Sequence, residues 1–312
     1  MPDYQLSTPV VLVIFNRPDT TERVFNEIAK VKPLKLLVIG DGARKDRPGE
    51  EGKVLAARAI IARVNWDCEI LTNYSDVNMG CGKRPASGFD WAFQKVEEAI
   101  ILEDDCIPHA SFFRFCEEML DRYRHDQRIG VISGDNFQFG YRNNDDSYYF
   151  SRYVYPWGWA TWRDRWQKDY DYNISSWPSV RKEKRLHDIL FDPKEIRYWT
   201  EIFDRVYHKE LKTCWDYQWM LACWLNGRLA VLPNCNLISN IGYGPNATHT
   251  LVGCELENIQ TEEMHFPLKH PLGVMVSRSL DAKDFKRRWW TPPYKIFLYT
   301  VIMRLRAFLV RK

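Results

Sequence analysis

Three carboxylates stand side by side in this sequence, Glu103, Asp104 and Asp105, directly after the apolar run Ile100-Ile101-Leu102. Charges of one sign held that close are costly unless a cation offsets them. A divalent metal does so: Mg²⁺ or Mn²⁺ needs one or two protein carboxylates and takes its other ligands from water and a diphosphate. The alternative is a solvated acidic turn, and the apolar run in front of the cluster favours the metal. A second candidate is the stretch Asn78-Met79-Gly80-Cys81-Gly82-Lys83-Arg84. Its glycines let the backbone approach a ligand, and Lys83 and Arg84 can meet phosphate charge. The spacing is not that of a P-loop, and a flexible surface turn is its rival reading.

The elements that must position these residues follow from the apolar pattern. Val10 to Phe15 reads as a buried strand ended by Asn16-Arg17-Pro18, and a helix starts near Asp19, with Val24, Ile28 and Val31 at helical spacing. Leu34 to Ile39 is a second strand followed by the turn Gly40-Asp41-Gly42, then a helix over Val54 to Val64 and a third strand over Glu69 to Thr72. A helix from Ser87 to Glu97 leads into the fourth strand, Ala99 to Leu102. Strands alternating with helices, with both strand faces apolar, predict an α/β fold built on a parallel, doubly wound sheet. Ligands of such sheets bind outside the carboxyl ends of the strands. Asn16-Arg17, Asp41 and Glu103-Asp104-Asp105 therefore converge on one crevice. Further on, the pattern predicts a helix at Ser111 to Arg124, a strand at Gly130 to Ser133, helices at Ile196 to Val206 and Tyr217 to Leu225, and a strand at Leu229 to Leu232. A long loop then runs to about Pro271.

The 312 residues are 45% hydrophobic and 27% charged, which fits one large globular α/β domain and excludes a mainly disordered chain. Aromatic residues make up 14%, with 13 Trp, many of them between Tyr148 and Trp224. Such faces suit the apolar CH faces of sugar rings, although most must fill a core. A net charge of +3 is too mild for a nucleic-acid-binding protein. The 8 Cys include no C-x-x-C pair, so reduced thiols are expected. The first residues lack the basic and apolar segments of a secretory signal, and no apolar run is long enough to span a bilayer. A cytoplasmic protein is expected.

The order of apolar strand, Glu103-Asp104-Asp105, Pro108 and the pair Phe112-Phe113 resembles GT-A glycosyltransferases. It is most similar to the bacterial family labelled hemolysin HlpA-like nucleotide-diphospho-sugar transferases, and more distantly to the Golgi N-acetylglucosaminyltransferase that begins complex N-glycans. The resemblance runs from about Pro9 to about His249. It implies a Rossmann-like, mostly parallel sheet flanked by helices, with a C-terminal helical and aromatic acceptor region. Residues 1–135 would bind the nucleotide sugar, 136–275 the acceptor, and 276–312 would form a basic, aromatic C-terminal helix.

The resemblance also implies roles. Asp105 would hold Mn²⁺ or Mg²⁺, Asp104 would contact the ribose or the metal shell, and Glu103 would support them. Phe15, Asn16 and Arg17 would hold the base or diphosphate, Asp41 the uracil or ribose, and Gly82, Lys83 and Arg84 the sugar nucleotide. Asn16 as a helix cap and an Arg17–Asp41 pair are the structural alternatives. In Tyr155-Pro156-Trp157-Gly158-Trp159-Ala160-Thr161-Trp162, Gly158 would allow close approach and Trp159 would stack on a sugar, while Trp157 and Trp162 are assigned to the core. Polar side chains of Gly134-Asp135-Asn136, Asn136 among them, would meet sugar hydroxyls. Asp216, in Cys214-Trp215-Asp216-Tyr217, sits where inverting relatives carry their general base, and is also a good helix N-cap. His249, ending a glycine-bearing loop, would complete the metal shell or contact the departing diphosphate.

The expected partners are a nucleotide-sugar donor, UDP-GlcNAc for example, and a glycan or lipid-linked acceptor, with no nucleic acid. The tail from Phe285, with Lys286-Arg287-Arg288-Trp289-Trp290 and a short apolar helix, suits peripheral contact with an anionic membrane, or else docking on the protein's own core. The rival functions are a nucleotidyltransferase making a nucleotide sugar, and a non-catalytic membrane-active or carbohydrate-binding protein.

Overall fold

A computed structural model describes residues 5–243 and 256–290 of the chain. The β-branched run Val10–Ile14 forms β1, and Pro18, with its φ already helical, opens α1 (Pro18–Val31). There follow β2 (Lys35–Gly40), α2 (Glu50–Ala59) with a 3₁₀ turn at Ile60–Arg63, β3 (Glu69–Tyr74), α3 (Gly80–Lys95) and β4 (Glu98–Glu103). Next come β5 (Cys106–Pro108), α4 (Ala110–Tyr123), β6 (Ile129–Ser133), β7 (Tyr148–Ser151), β8 (Trp159–Trp162) and α5 (Arg163–Asp169). The described chain is completed by α6 (Trp177–Lys182), α7 (Leu186–Ile189), α8 (Pro193–Tyr207), α9 (Asp216–Leu225), β9 (Leu229–Pro233), β10 (Ile238–Asn240) and α10 (Arg278–Arg288).

Among the described residues one sheet has the strand order β3-β2-β1-β4-β8-β6-β9-β7. β1 to β4 pair in parallel, and β9 runs parallel to β6, whereas β8 lies antiparallel between β4 and β6 and β7 is antiparallel to β9. The expected α/β architecture, a mostly parallel sheet flanked by helices, is the one observed. The antiparallel β8 is not legible in the sequence. All four of its residues are buried, so it has no polar face to give a two-residue alternation. Strands on either side of residue 135 share this sheet, so the two halves are continuous.

Alternate residues of β1 feed two cores. Val10 and Leu12 face Val24, Phe25 and Ile28 of α1 and Phe112 of α4, while Val11 faces Phe89 and Phe93 of α3. The second core holds most of the tryptophans, including Trp159, Trp166, Trp199 and Trp219, all without solvent exposure. The aromatic excess is thus mainly packing.

The register fixes the crevice. Ile14 lies opposite Gly40 and Val13 opposite Glu103, so the residues after β1, β2 and β4 emerge at one sheet edge. Helix α3 begins at Gly80 rather than Ser87. The reason is tertiary: Asp41, after β2, accepts the N–H groups of Met79 and Gly80, both at 2.9 Å, and so caps the helix from another element.

The C-terminal segment docks on the protein itself as far as it is described. Leu280 and Phe285 of α10 are buried, and Trp289 packs on Tyr153 with ring centroids 4.6 Å apart and on Trp199 at 5.1 Å. Within Lys286 to Trp290, read as facing a membrane or docking on the protein's own core, both tryptophans pack against the aromatic core while Lys286 and Arg287 are exposed. Residues 291–312 lie outside the described residues. No helix among the described residues is long and apolar enough to cross a membrane.

Candidate functional site

Arg17 joins the first and fourth strands at the crevice. Its Nη2 lies 2.5 Å from Asp104 Oδ1 and its Nη1 2.8 Å from Asp105 Oδ2, while the Phe15 N–H donates to Asp104 Oδ2 at 3.1 Å. Burial works against the Arg17 charge, but Asp104 and Asp105 outweigh it and hold the pKa above its ordinary value. The sheet edge therefore brings Phe15, Arg17, Asp104 and Asp105 together as expected. Arg17 pairs with this cluster and not with Asp41.

One guanidinium does not neutralise the cluster. Burial, followed by the charges of Asp105 and Asp104, pushes Glu103 up to about 8, with Asp216 adding to the effect and Arg17 opposing it. Burial pushes Asp104 up to about 6 against the pull of Arg17. Glycine is required beside Asp105: a Cβ on Gly242 would fall 1.9 Å from Asp105 Oδ2. The Ile241 N–H donates to the Asp105 carbonyl at 2.8 Å, continuing the pairing of β10 with β5 past Asn240–Cys106.

Asp216 is the first residue of α9, with Trp215 at the cap position, so the N-cap reading does not hold for it. Its charge acts on Glu103 and on Cys81 of α3. Gly82 connects these parts differently from expectation. A Cβ there would meet the carbonyl oxygens of Lys212 at 2.8 Å and Cys214 at 2.9 Å, so Gly82 lets α3 approach the segment leading to Asp216.

Several other expected contacts are corrected. Asp41 is buried and its carboxylate already accepts from the backbone of Gly42, Met79 and Gly80 and from the Asn78 amide, leaving little capacity for a base or ribose. Arg84 is buried within α3 and donates to the carbonyls of Gly40 at 3.1 Å and Asn73 at 2.5 Å, tying strand ends together instead of meeting phosphate. Lys83, in the same helix, is exposed. Asn16 donates to Glu50 Oε1 at 2.8 Å and caps nothing; Glu50 is held down to about 2 by its hydrogen bonds with Arg44. Asn136 is buried and bound to Pro233 and Gln138. Trp159 is fully buried and stacked on Trp215, so it offers no face to a sugar. Gly158, at φ 77°, makes room for Ile238, whose Cδ1 would lie 2.4 Å from a Cβ. Trp157 is the half-buried tryptophan here, its ring edge-on to Tyr243. His249 lies outside the described residues.

No family model matches the chain. No curated protein matches it either. Among solved structures it is similar to the mannosyltransferase PcManGT from Pyrobaculum calidifontis, solved in complex with GDP-Man and Mn²⁺, at 16% identity and TM-score 0.39, over 54% of this chain and 47% of that one. It is also similar to residues 1–349 of S. aureus TarS, at 12% identity and TM-score 0.42, over 73% of this chain and 58% of that one. The chain therefore spans about half the length of the first and less than two thirds of the second.

What the site can do follows from its own charges. Among the described residues no three His, Cys, Asp or Glu side chains converge as an all-protein metal cage. A small oxygen-seeking cation does not need one, since one or two carboxylates suffice when water and phosphate complete the shell. The raised Glu103 marks a cluster short of positive charge, where Asp105 and Glu103 are the carboxylates that could meet such a cation. The Arg44–Glu50 ion pair beside Asn16 has no signal in the local pattern, and neither has the placement of Arg288, expected only as part of the tail, over the ring of Tyr155.

Proposed function

We propose that the protein is a GT-A-type glycosyltransferase that moves a sugar from a nucleotide-diphosphate donor, a UDP-sugar, to a glycan or lipid-linked acceptor with inversion. The observation that carries this reading is the shared contact of Arg17 with Asp104 and Asp105 at a sheet edge where Asp216 also acts on Glu103. It sets cationic and anionic groups for a diphosphate near the carboxylate of Asp216.

In this reading Asp105, with Glu103, would hold Mn²⁺ or Mg²⁺, which would supply positive charge to a bound diphosphate. Arg17 shares the anionic load of the cluster and faces the same phosphates. Asp216 takes the proton of the acceptor hydroxyl as its oxygen attacks the anomeric carbon from the side opposite the diphosphate. The bond to the leaving diphosphate breaks as the new glycosidic bond forms. The trapped aromatic core behind β8 keeps these elements rigid, which is the condition for such positioning.

The test is calorimetric titration of the full chain with UDP- and GDP-sugars, with and without Mn²⁺, followed by product analysis. Metal-dependent binding of one nucleotide sugar and its transfer are expected. No binding of any nucleotide sugar in Mn²⁺ would overturn the proposal.

A further inference from the structure

Two charged side chains near the crevice carry buried polar atoms with no hydrogen-bond partner among the described residues: Oδ1 of Asp135, and Nε and Nη1 of Arg288. A buried polar atom left unpaired calls for a water or another polar group to complete it, and these are the ones that flank Trp157. Asp135 follows β6 at the carboxyl edge and has no solvent exposure. Its Oδ2 accepts the Trp157 N–H at 3.2 Å. Arg288 comes from α10, and its guanidinium lies 4.0 Å from the Phe137 ring centroid, 4.4 Å from that of Tyr155 and 5.8 Å from that of Trp157.

The two groups sense each other. Burial pushes Asp135 well above the carboxylate range, and Arg288 is the first group to oppose it. Asp135 also acts on Cys106, the residue after Asp105. One buried, unpaired acceptor atom and two buried, unpaired donor atoms thus sit around the half-buried Trp157. A hydroxyl group donates and accepts at once, so it can satisfy both sides, which neither a simple anion nor a simple cation can do. An indole next to such a pair suits the CH face of the ring that carries the hydroxyl.

We infer that Trp157, Asp135 and Arg288 form a subsite for a hydroxyl-bearing sugar ring, apart from the nucleotide contacts at Arg17 and Asp104. It rests on the glycosyl-transfer reading only in taking the ring to be a reactant. The subsite makes α10 part of the functional site. Asp284, one helical turn before Arg288, accepts from Tyr155 Oη at 2.7 Å and from Gln138 Nε2 at 2.6 Å, and so fixes the helix against the wall of the subsite.

The experiment titrates the full chain with free mono- and disaccharides, reading tryptophan fluorescence and saturation-transfer NMR, and in parallel with UDP in Mn²⁺. One saccharide is expected to bind, Trp157→Phe to lose the fluorescence response, and Asp135→Asn and Arg288→Met each to weaken the saccharide about tenfold or more with UDP affinity unchanged. Where the Met variant does not fold, Arg288→Lys keeps the charge without the planar fork and must show the same weakening. Saccharide affinity unchanged in these variants means the orphan atoms hold only water, and overturns the subsite. Saccharide binding that depends on Trp157 without any nucleotide-sugar binding keeps the subsite and sinks the transferase reading. Nucleotide-sugar binding with no saccharide response does the reverse.

Discussion

Arg17 reaches both Asp104 and Asp105, at 2.5 and 2.8 Å, so one guanidinium from the first strand's exit loop is shared by two neighbouring carboxylates of the fourth. Arg17→Ala removes that charge and leaves buried Asp104 without its ion pair, for an expected loss of about 2 kcal/mol. If the cluster takes a divalent cation, Mn²⁺ restores part of the loss. Thermal melts of the variant in EDTA and in Mn²⁺ check this, and an unaltered melting temperature in both would count against the shared contact. Asp105→Ala is expected to abolish Mn²⁺-dependent nucleotide binding while the fold persists.

Asp216 should matter to chemistry more than to binding. In the proposed reaction Asp216→Asn lowers the transfer rate by about 10²-fold or more, with nucleotide-sugar affinity retained. Steady-state kinetics beside calorimetry separate the two quantities. A variant with full activity would remove Asp216 from the mechanism.

Asp41 is expected to act on the fold. Its carboxylate joins β2 to the N-terminus of α3, and Asp41→Ala leaves those backbone N–H groups without their partner. The expected cost is about 1–2 kcal/mol. Urea denaturation measures it. A nucleotide affinity that collapses with no change in stability would instead make Asp41 a ligand-binding residue.

Gly82 tests the contact between α3 and the segment before α9. In Gly82→Ala the new methyl group meets the carbonyl oxygens of Lys212 and Cys214, which are backbone atoms and yield little. A destabilisation of about 1–3 kcal/mol is expected, together with reduced transfer because Asp216 shifts. An alanine variant as stable and active as the parent would show that the two segments are not in tight register.

The α10 dock carries a pH dependence. Burial raises Asp284 to about 6 despite its hydrogen bond from Tyr155 and the nearby Arg288 charge. A carboxyl whose folded pKa lies above its unfolded value binds more protons when folded, so its contribution to stability falls as pH rises from about 4 through about 6. The fall amounts to no more than about 3 kcal/mol, and buried Asp281, also raised, adds to it in the same direction. Asp284→Asn is expected to flatten this slope. Melting temperatures measured from pH 4 to 7 test it, and equal slopes in both proteins would disprove the assignment.

The apolar runs by themselves determined the alternating strands and helices and therefore the sheet edge. Once Val10–Ile14, Lys35–Gly40 and Glu98–Glu103 are neighbouring parallel strands, the residues that follow them must share a crevice. Arg17, Asp104 and Asp105 were legible for that reason. What the sequence could not decide was the direction in which each polar or aromatic side chain is used. Asp41, Arg84 and Asn136 have the chemistry of ligand contacts, yet buried backbone donors and acceptors from distant segments claim them, because an unpaired buried polar group is too costly to leave. Trp157 and Trp159 are indistinguishable in the local pattern. Only the antiparallel insertion of β8 turns Trp159 into the core and leaves Trp157 at its rim, and only the docking of α10 brings Arg288 beside it.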